Sequence, residues 1–261
     1  MSNEHERYRR DAGHYSYTVY ETDAATRGFD SARFNGTVGR FFQQHQERFI
    51  LDHLGDVTGM RILDLGAGTG RLSLPMARHG ARVTAADASD KMLAILREKA
   101  WLQGLPVTAS RIDAHALPFP DTAFEAAVSL RMIMHVVDWH RVIAELCRVA
   151  KTHVIVDFPP RSGFAGLAPM IHPMIRPFNP HHQPYRVFRI DDIGKELAAN
   201  GFVIASVDRH VVLPFGLHRS MNSIAFTRKI ESVLDRIGLR RVMGAPVTVC
   251  AQRKDLASCA S

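Results

Sequence analysis

The stretch LDLGAGTGRLSLPMARHG, from Leu63 to Gly80, decides the fold of this chain. A short apolar strand, Arg61 to Leu65, runs into three glycines spaced G-x-G-x-G: Gly66, Gly68 and Gly70. A helical pattern starts directly after them. Glycine suits such a turn because it allows backbone torsions closed to other residues and brings the main chain close to a ligand. A second apolar strand, Ala81 to Ala86, ends in Asp87. An acid at that point can receive the two hydroxyls of a ribose. Strand, glycine turn, helix, strand and acid together describe a nucleoside-binding crevice.

The glycine spacing narrows the choice of nucleoside. A dinucleotide site reads G-x-G-x-x-G, with the third glycine allowing close helix packing beside a pyrophosphate. Here the third glycine comes one residue early, and Asp64 precedes the first by two. A carboxylate there repels a pyrophosphate and suits a ligand with an ammonium group. S-adenosyl-L-methionine (SAM) has an amino acid tail, a sulfonium and a ribose without phosphate. The residues therefore favour SAM over a nicotinamide cofactor.

With these motifs the chain resembles the class I SAM-dependent methyltransferases of small-molecule type, from about Ile62 to Val156. The resemblance implies that Gly66, Ala67, Gly68 and Gly70 cradle the cofactor and that Asp87 holds its ribose. It further implies that Ala88 and Met92 flank the adenine, with Asp113 near the adenine amino group and Ala114 and Leu130 beside them. Asp113 reads equally as a helix cap or turn residue. The implied fold is α/β, a Rossmann-like doubly wound sheet of order 3-2-1-4-5-7-6 with an antiparallel last strand and helices on both faces.

Residue spacing alone yields the alternation of elements. Helices are expected near 70–79, 89–103 and 138–149, and strands at 81–86, 106–112, 124–130 and 152–158. Beyond Pro159 a helix at 191–200, a strand from 202 to about 213, a helix near 220–237 and a strand at 246–252 complete the pattern. Such alternation demands a mainly parallel sheet with both faces covered. Residues 60–261 form the expected domain. Residues 1–59 are read as an N-terminal helical lid, tyrosine-rich at the start and helical around Val38 to Leu54.

Residues 159–184 carry seven prolines, too many for a continuous helix. They follow the fifth strand, where ligands meet the carboxyl ends of an open sheet. Phe164, Met170, Ile171 and Phe178 mix there with Arg161, Arg176 and His172. This is the expected substrate cap, and a plain capping subdomain with its own small core stands as the alternative.

The charge is lopsided. Residues 159–261 hold 14 Lys+Arg against 7 Asp+Glu, which accounts for the whole net charge of +7. Such a bias recruits an anionic acceptor or touches a membrane surface transiently, or is only a solvated face. No apolar run reaches the roughly 18 residues that span a bilayer. The first residues lack a secretory h-region, and the three cysteines form no disulfide or metal pattern. A cytoplasmic protein is expected, with no nucleic-acid module and no metal. The fourteen histidines show no ligand spacing, and Asp138 and Asp157 are a thin basis for a metal-dependent site.

Methyl transfer from a sulfonium needs alignment in a dry site, and an oxygen or nitrogen acceptor must also lose a proton. His135, just after the fourth strand, is the candidate base, with a structural histidine as the alternative. Arg131 is placed to hold an anionic acceptor or to pair with a carboxylate. Tyr185, Arg186 and His218 are weaker candidates. The expected activity is SAM-dependent methylation of a small or lipid-like acceptor, at oxygen. The segment Ser129 to Arg131 also resembles quinone-biosynthesis C-methyltransferases, which makes carbon methylation of an isoprenoid quinone precursor the alternative. A SAM-binding protein without turnover is a third reading.

Overall fold

The computed structural model describes residues 36–166 and 185–257. Seven strands form one sheet in the order β3-β2-β1-β4-β5-β7-β6. They are β1 (Arg61–Leu65), β2 (Arg82–Asp87), β3 (Val107–Arg111), β4 (Phe124–Ser129), β5 (Ala150–Phe158), β6 (Phe202–Val211) and β7 (Ala245–Arg253). The first five run parallel; β7 is antiparallel to both β5 and β6. This is the expected order, last strand included.

Strand residues alternate between the two faces because side chains do so along any strand. Ile62, Ala126, Val128, Ile155 and Cys250 face one side. They are covered by α1 (Thr37–Leu54), through Ile50 and Leu54, and by α2 (Ser73–Arg78), through Met76 and Ala77. Leu63, Leu65, Ala127, Val154, Val156 and Val249 face the other side, against α4 (Trp139–Val149) and α5 (Ile190–Ala199). Between β2 and α4 in sequence, α3 (Asp90–Leu102) packs Leu93 and Leu96 on Ala67 and Ala85. Ser89 caps α3 by accepting the Met92 N–H at 3.3 Å, a first-turn donor that would otherwise lack a partner.

One expected helix is corrected. The segment 220–237 is not continuous: α6 (Phe215–Met221) stops at Asn222, whose φ of 42° is left-handed, and α7 (Ile224–Arg236) restarts with Ser223 as its cap. Asparagine tolerates that conformation and serine accepts the new helix's free N–H, so the pair ends one helix and opens the next. A short α8 (Leu239–Met243) precedes β7, and α9 (Lys254–Ala257) follows it. Of the expected lid (1–59) and the expected cap (159–184), residues 1–35 and 167–184 lie outside the described residues.

Candidate active site

The glycine turn is built as its sequence demands. Gly66, Gly68 and Gly70 have φ of 80°, 54° and 88°, a region that side chains rarely enter. Each glycine answers a different steric need. A Cβ at Gly66 would meet Met132 Cγ at 2.7 Å, and one at Gly70 would press on Leu96 and Leu74 at 3.0 and 3.1 Å. A Cβ at Gly68 would meet nothing within 4 Å, so this glycine borders open space. The turn is tied to β2 by the N–H groups of Gly66 and Ala67, which donate to Ala86 O at 2.8 and 3.1 Å.

Asp87 closes the crevice at the carboxyl end of β2. Its Oδ2 accepts the Gly68 N–H at 2.8 Å and its Oδ1 accepts the Ser89 N–H at 2.9 Å. Burial pushes this carboxyl above the usual range, and those backbone donors pull the other way. A carboxylate fixed by two main-chain donors still has lone pairs for a pair of hydroxyls. Ala88 is half-buried and Met92 and Leu130 are buried. Asp113 sits on the far side, its side chain 56% exposed, and holds His115 at 2.8 Å through the ring Nδ1. That hydrogen bond lowers the Asp113 carboxyl below its ordinary range, and Ala114 packs beside it on the core.

Asp64 lies beneath the turn, 2% exposed, and its Oδ2 accepts the Ser73 hydroxyl at 2.6 Å. Burial raises this carboxyl to about 6, opposed by Ser73 and Arg71. The folded value stands above the unfolded one, so the folded chain binds the proton more readily between about 4 and 6. Stability therefore falls as pH rises through that window and is level above it. Asp64→Asn is expected to abolish the slope and to be the more stable protein at pH 8 by about 1–3 kcal/mol. Denaturant unfolding at pH 4 and pH 8 checks this; a variant less stable than its parent at pH 8 contradicts it.

The strand after the crevice brings the remaining residues. At the end of β4, Arg131 has a left-handed φ of 57°, and its N–H donates to Asp157 Oδ1 in a short hydrogen bond. Its guanidinium lies 5.5 Å from the centroid of the Phe215 ring. A 3₁₀ turn, Ile133–His135, follows, with the His135 N–H donating to Met132 O at 2.9 Å. His135 is half-buried. Since Met132 rests on Gly66, this segment is pressed against the glycine turn. Its other side meets the chain near Arg186, whose N–H donates to Met134 O at 3.0 Å; Pro160 bridges Phe188, close to Arg186 in sequence. Tyr185 is half-buried, and burial raises its phenol.

His218 has a structural setting. It is fully buried between Thr227 Oγ1 at 3.1 Å and Glu231 Oε1 at 2.9 Å, and so locks α6 to α7.

Two residues join this site that the sequence did not place in it: Gln46, and Asp157, weighed there only as a thin basis for a metal. Asp157, 1% exposed at the end of β5, takes Gln46 Nε2 at 2.9 Å as well as the Arg131 N–H. Gln46 also donates to Thr248 Oγ1 at 3.2 Å. A signal was present: Val38, Phe42, Gln46, Ile50 and Leu54 recur every four residues and all are buried. A lone amide on an apolar helical stripe needs a buried partner.

Residues 62–153 match the family described as Methyltransferase domain. Over 105 residues the chain is 43% identical to the demethylmenaquinone methyltransferase of Thermus thermophilus, covering 38% of this chain and 48% of that protein. It is 37% identical over 134 residues to the phosphatidylethanolamine N-methyltransferase of Cereibacter sphaeroides, covering 50% and 64%. It is 31% identical over 151 residues to a ubiquinone biosynthesis O-methyltransferase of Rhizobium etli, covering 56% and 61%. The matched stretch thus spans about half to under two thirds of these relatives. Among solved structures, the magnesium protoporphyrin IX methyltransferase of Synechocystis PCC 6803 with bound SAH superposes with a TM-score of 0.67. That pair shares 20% identity, over 92% of this chain and 100% of that one. The match to a methyltransferase domain covers residues 62–153, and the sheet around them has the strand order of the class I fold.

Proposed function

We propose that this chain transfers a methyl group from S-adenosyl-L-methionine to a small, lipid-like acceptor, with oxygen as the receiving atom. The observation that carries the cofactor is the Gly68–Asp87 pair. An open-sided glycine donates its N–H to a fixed carboxylate at the ends of two adjacent strands. That is a ribose site without room for a pyrophosphate's charge, because Asp64 lies below it.

In this reading Asp87 receives the ribose hydroxyls and Ala88, Met92 and Leu130 form the adenine walls. Asp113 and Ala114 bound the adenine edge, while Gly66, Ala67 and Gly70 set the turn. Asp64 contributes negative charge beneath the amino acid tail. When bound, the cofactor supplies an electrophilic methyl on a good leaving group. The protein's work is then to align the acceptor, exclude water and take one proton. His135 is the base for that proton, and Arg131 orients an anionic acceptor. Residues 60–261 form the catalytic domain in this reading, residues 1–59 its lid, and 159–184 the acceptor cap. One described end of the cap, at Arg186, meets the 131–135 segment, and the other pairs with Phe188.

The lipid-like class is supported by the relatives, whose names specify quinone precursors and phosphatidylethanolamine. The basic C-terminal half suits an acceptor with a negative group. The demethylmenaquinone relative favours a second reading, carbon methylation of a quinone precursor. No helix among the described residues is long and apolar enough to cross a membrane.

Incubation of the purified chain with SAM and a panel of prenylated phenols, quinols and anionic lipids tests the reading. Release of S-adenosylhomocysteine only with a hydroxyl-bearing acceptor is the expected result. A product labelled on ring carbon selects the second reading. No release with any acceptor, from protein that binds SAM, reduces the chain to a binding module.

A further inference from the structure

At the outer edge of the sheet, three side chains far apart in sequence converge. His45 lies on α1, and Asp208 and His210 lie two apart on β6, which puts both on one face of the strand. We propose that His45, Asp208 and His210 form a binding site for a zinc-class divalent cation that clips α1 to the edge strand. This inference stands apart from the methyl-transfer reading.

The geometry is close to that of a ligand set. His45 Nε2 lies 3.0 Å and His210 Nε2 3.6 Å from Asp208 Oδ2, and one ligand atom from each residue lies within 4.8 Å of the others. Ligands about 2.0–2.1 Å from a tetrahedral ion stand roughly 3.3 Å apart, so a small closure of the two rings completes the set. Two imidazoles and a carboxylate suit zinc and its neighbours, and three protein ligands leave a fourth position for water.

The second observation is His210 itself. Its side chain is only 3% exposed, yet neither ring nitrogen has a hydrogen-bond partner. Burying two polar nitrogens without partners is costly, and such a group in a native protein calls for an explanation. An ordinary His45–Asp208 ion pair gives none for His210, whereas a cation between the three residues does. His45 is 41% exposed on its side chain, which leaves a path of entry from solvent.

A cation here would act on the candidate active site through α1. Gln46 follows His45 directly and reaches Asp157 and Thr248. Thr248 pairs with Asp157 on β5 and with Asp208 on β6. Phe42, one turn earlier, meets Phe215 edge-on at 4.6 Å, and the Phe215 ring lies beside Arg131. Fixing α1 to β6 therefore fixes both supports of the Arg131 segment.

The test is titration of chelator-treated full-length protein with Co²⁺, then displacement by Zn²⁺. The visible bands of a four- or five-coordinate Co²⁺ centre should appear at one ion per chain, and Zn²⁺ should slow amide exchange in α1. His45→Gln and Asp208→Asn should each weaken binding by more than the ~10- to 100-fold that loss of an outer partner costs. His45 is exposed enough that its glutamine variant should match the metal-free parent in circular dichroism. Absence of any Co²⁺ bands, or equal affinity in His45→Gln, overturns the proposal; the latter places the ion on other histidines.

Discussion

Replacing His135 by glutamine should lower the methyl-transfer rate by about 10²- to 10⁴-fold, the usual contribution of a positioned base. SAM affinity should stay within about twofold, because the proposed reading puts this residue on the acceptor side of the glycine turn. The 131–135 segment is held between Met132 on Gly66 and the Arg186 contact to Met134, so glutamine keeps the backbone while removing the base. An unchanged rate assigns His135 a structural role and moves the proton elsewhere.

Asp157→Ala should cost about 1–3 kcal/mol of stability, since it takes an acceptor from two donors, one of which keeps a second acceptor in Thr248. Those donors are Gln46 Nε2 and the N–H of Arg131. Arg131 also has left-handed backbone, a conformation unfavourable for a side chain-bearing residue. Asp157 supplies the hydrogen bond that holds it there. Asp157→Asn retains one acceptor and should cost less. Urea unfolding midpoints of the two variants, read against the parent, check the order. A stable Asp157→Ala protein contradicts the role given to this carboxylate. Where the alanine variant remains folded, its activity should drop as well, because in the proposed reading the Arg131 segment lines the acceptor side.

The cofactor half of the molecule was legible because its signals are local. Gly66, Gly68 and Gly70 are required by torsions and contacts within one turn, and Asp87 follows from the end of the next strand. The order of the strands was implied by resemblance, since alternation along the chain fixes a doubly wound sheet but not which strand neighbours which. The break at Asn222-Ser223 was overlooked because the apolar spacing continues through it, though both residue types mark helix ends.

The polar groups shared across the sheet were beyond a linear reading. Asp157, Thr248 and Asp208 form a row only through the registers of β5 with β7 and β7 with β6. Gln46 and His45 join that row from α1, more than a hundred residues away. The expectation of no metal rested on spacing along the chain, which does not show that His45, Asp208 and His210 meet in space. His218, a candidate by its residue type, is a buried tie between two helices.

The central claim is that Asp87 and the glycine turn hold a SAM ribose. Calorimetric titration of SAM, S-adenosylhomocysteine and NADH into the parent chain and Asp87→Ala tests it most directly. Both sulfur ligands should bind the parent and NADH should not. The substitution should weaken them by about 1–3 kcal/mol, the loss expected for hydrogen bonds to a charged group. Binding of NADH in their place, or equal SAM affinity in Asp87→Ala, contradicts the account and the residue roles that depend on it.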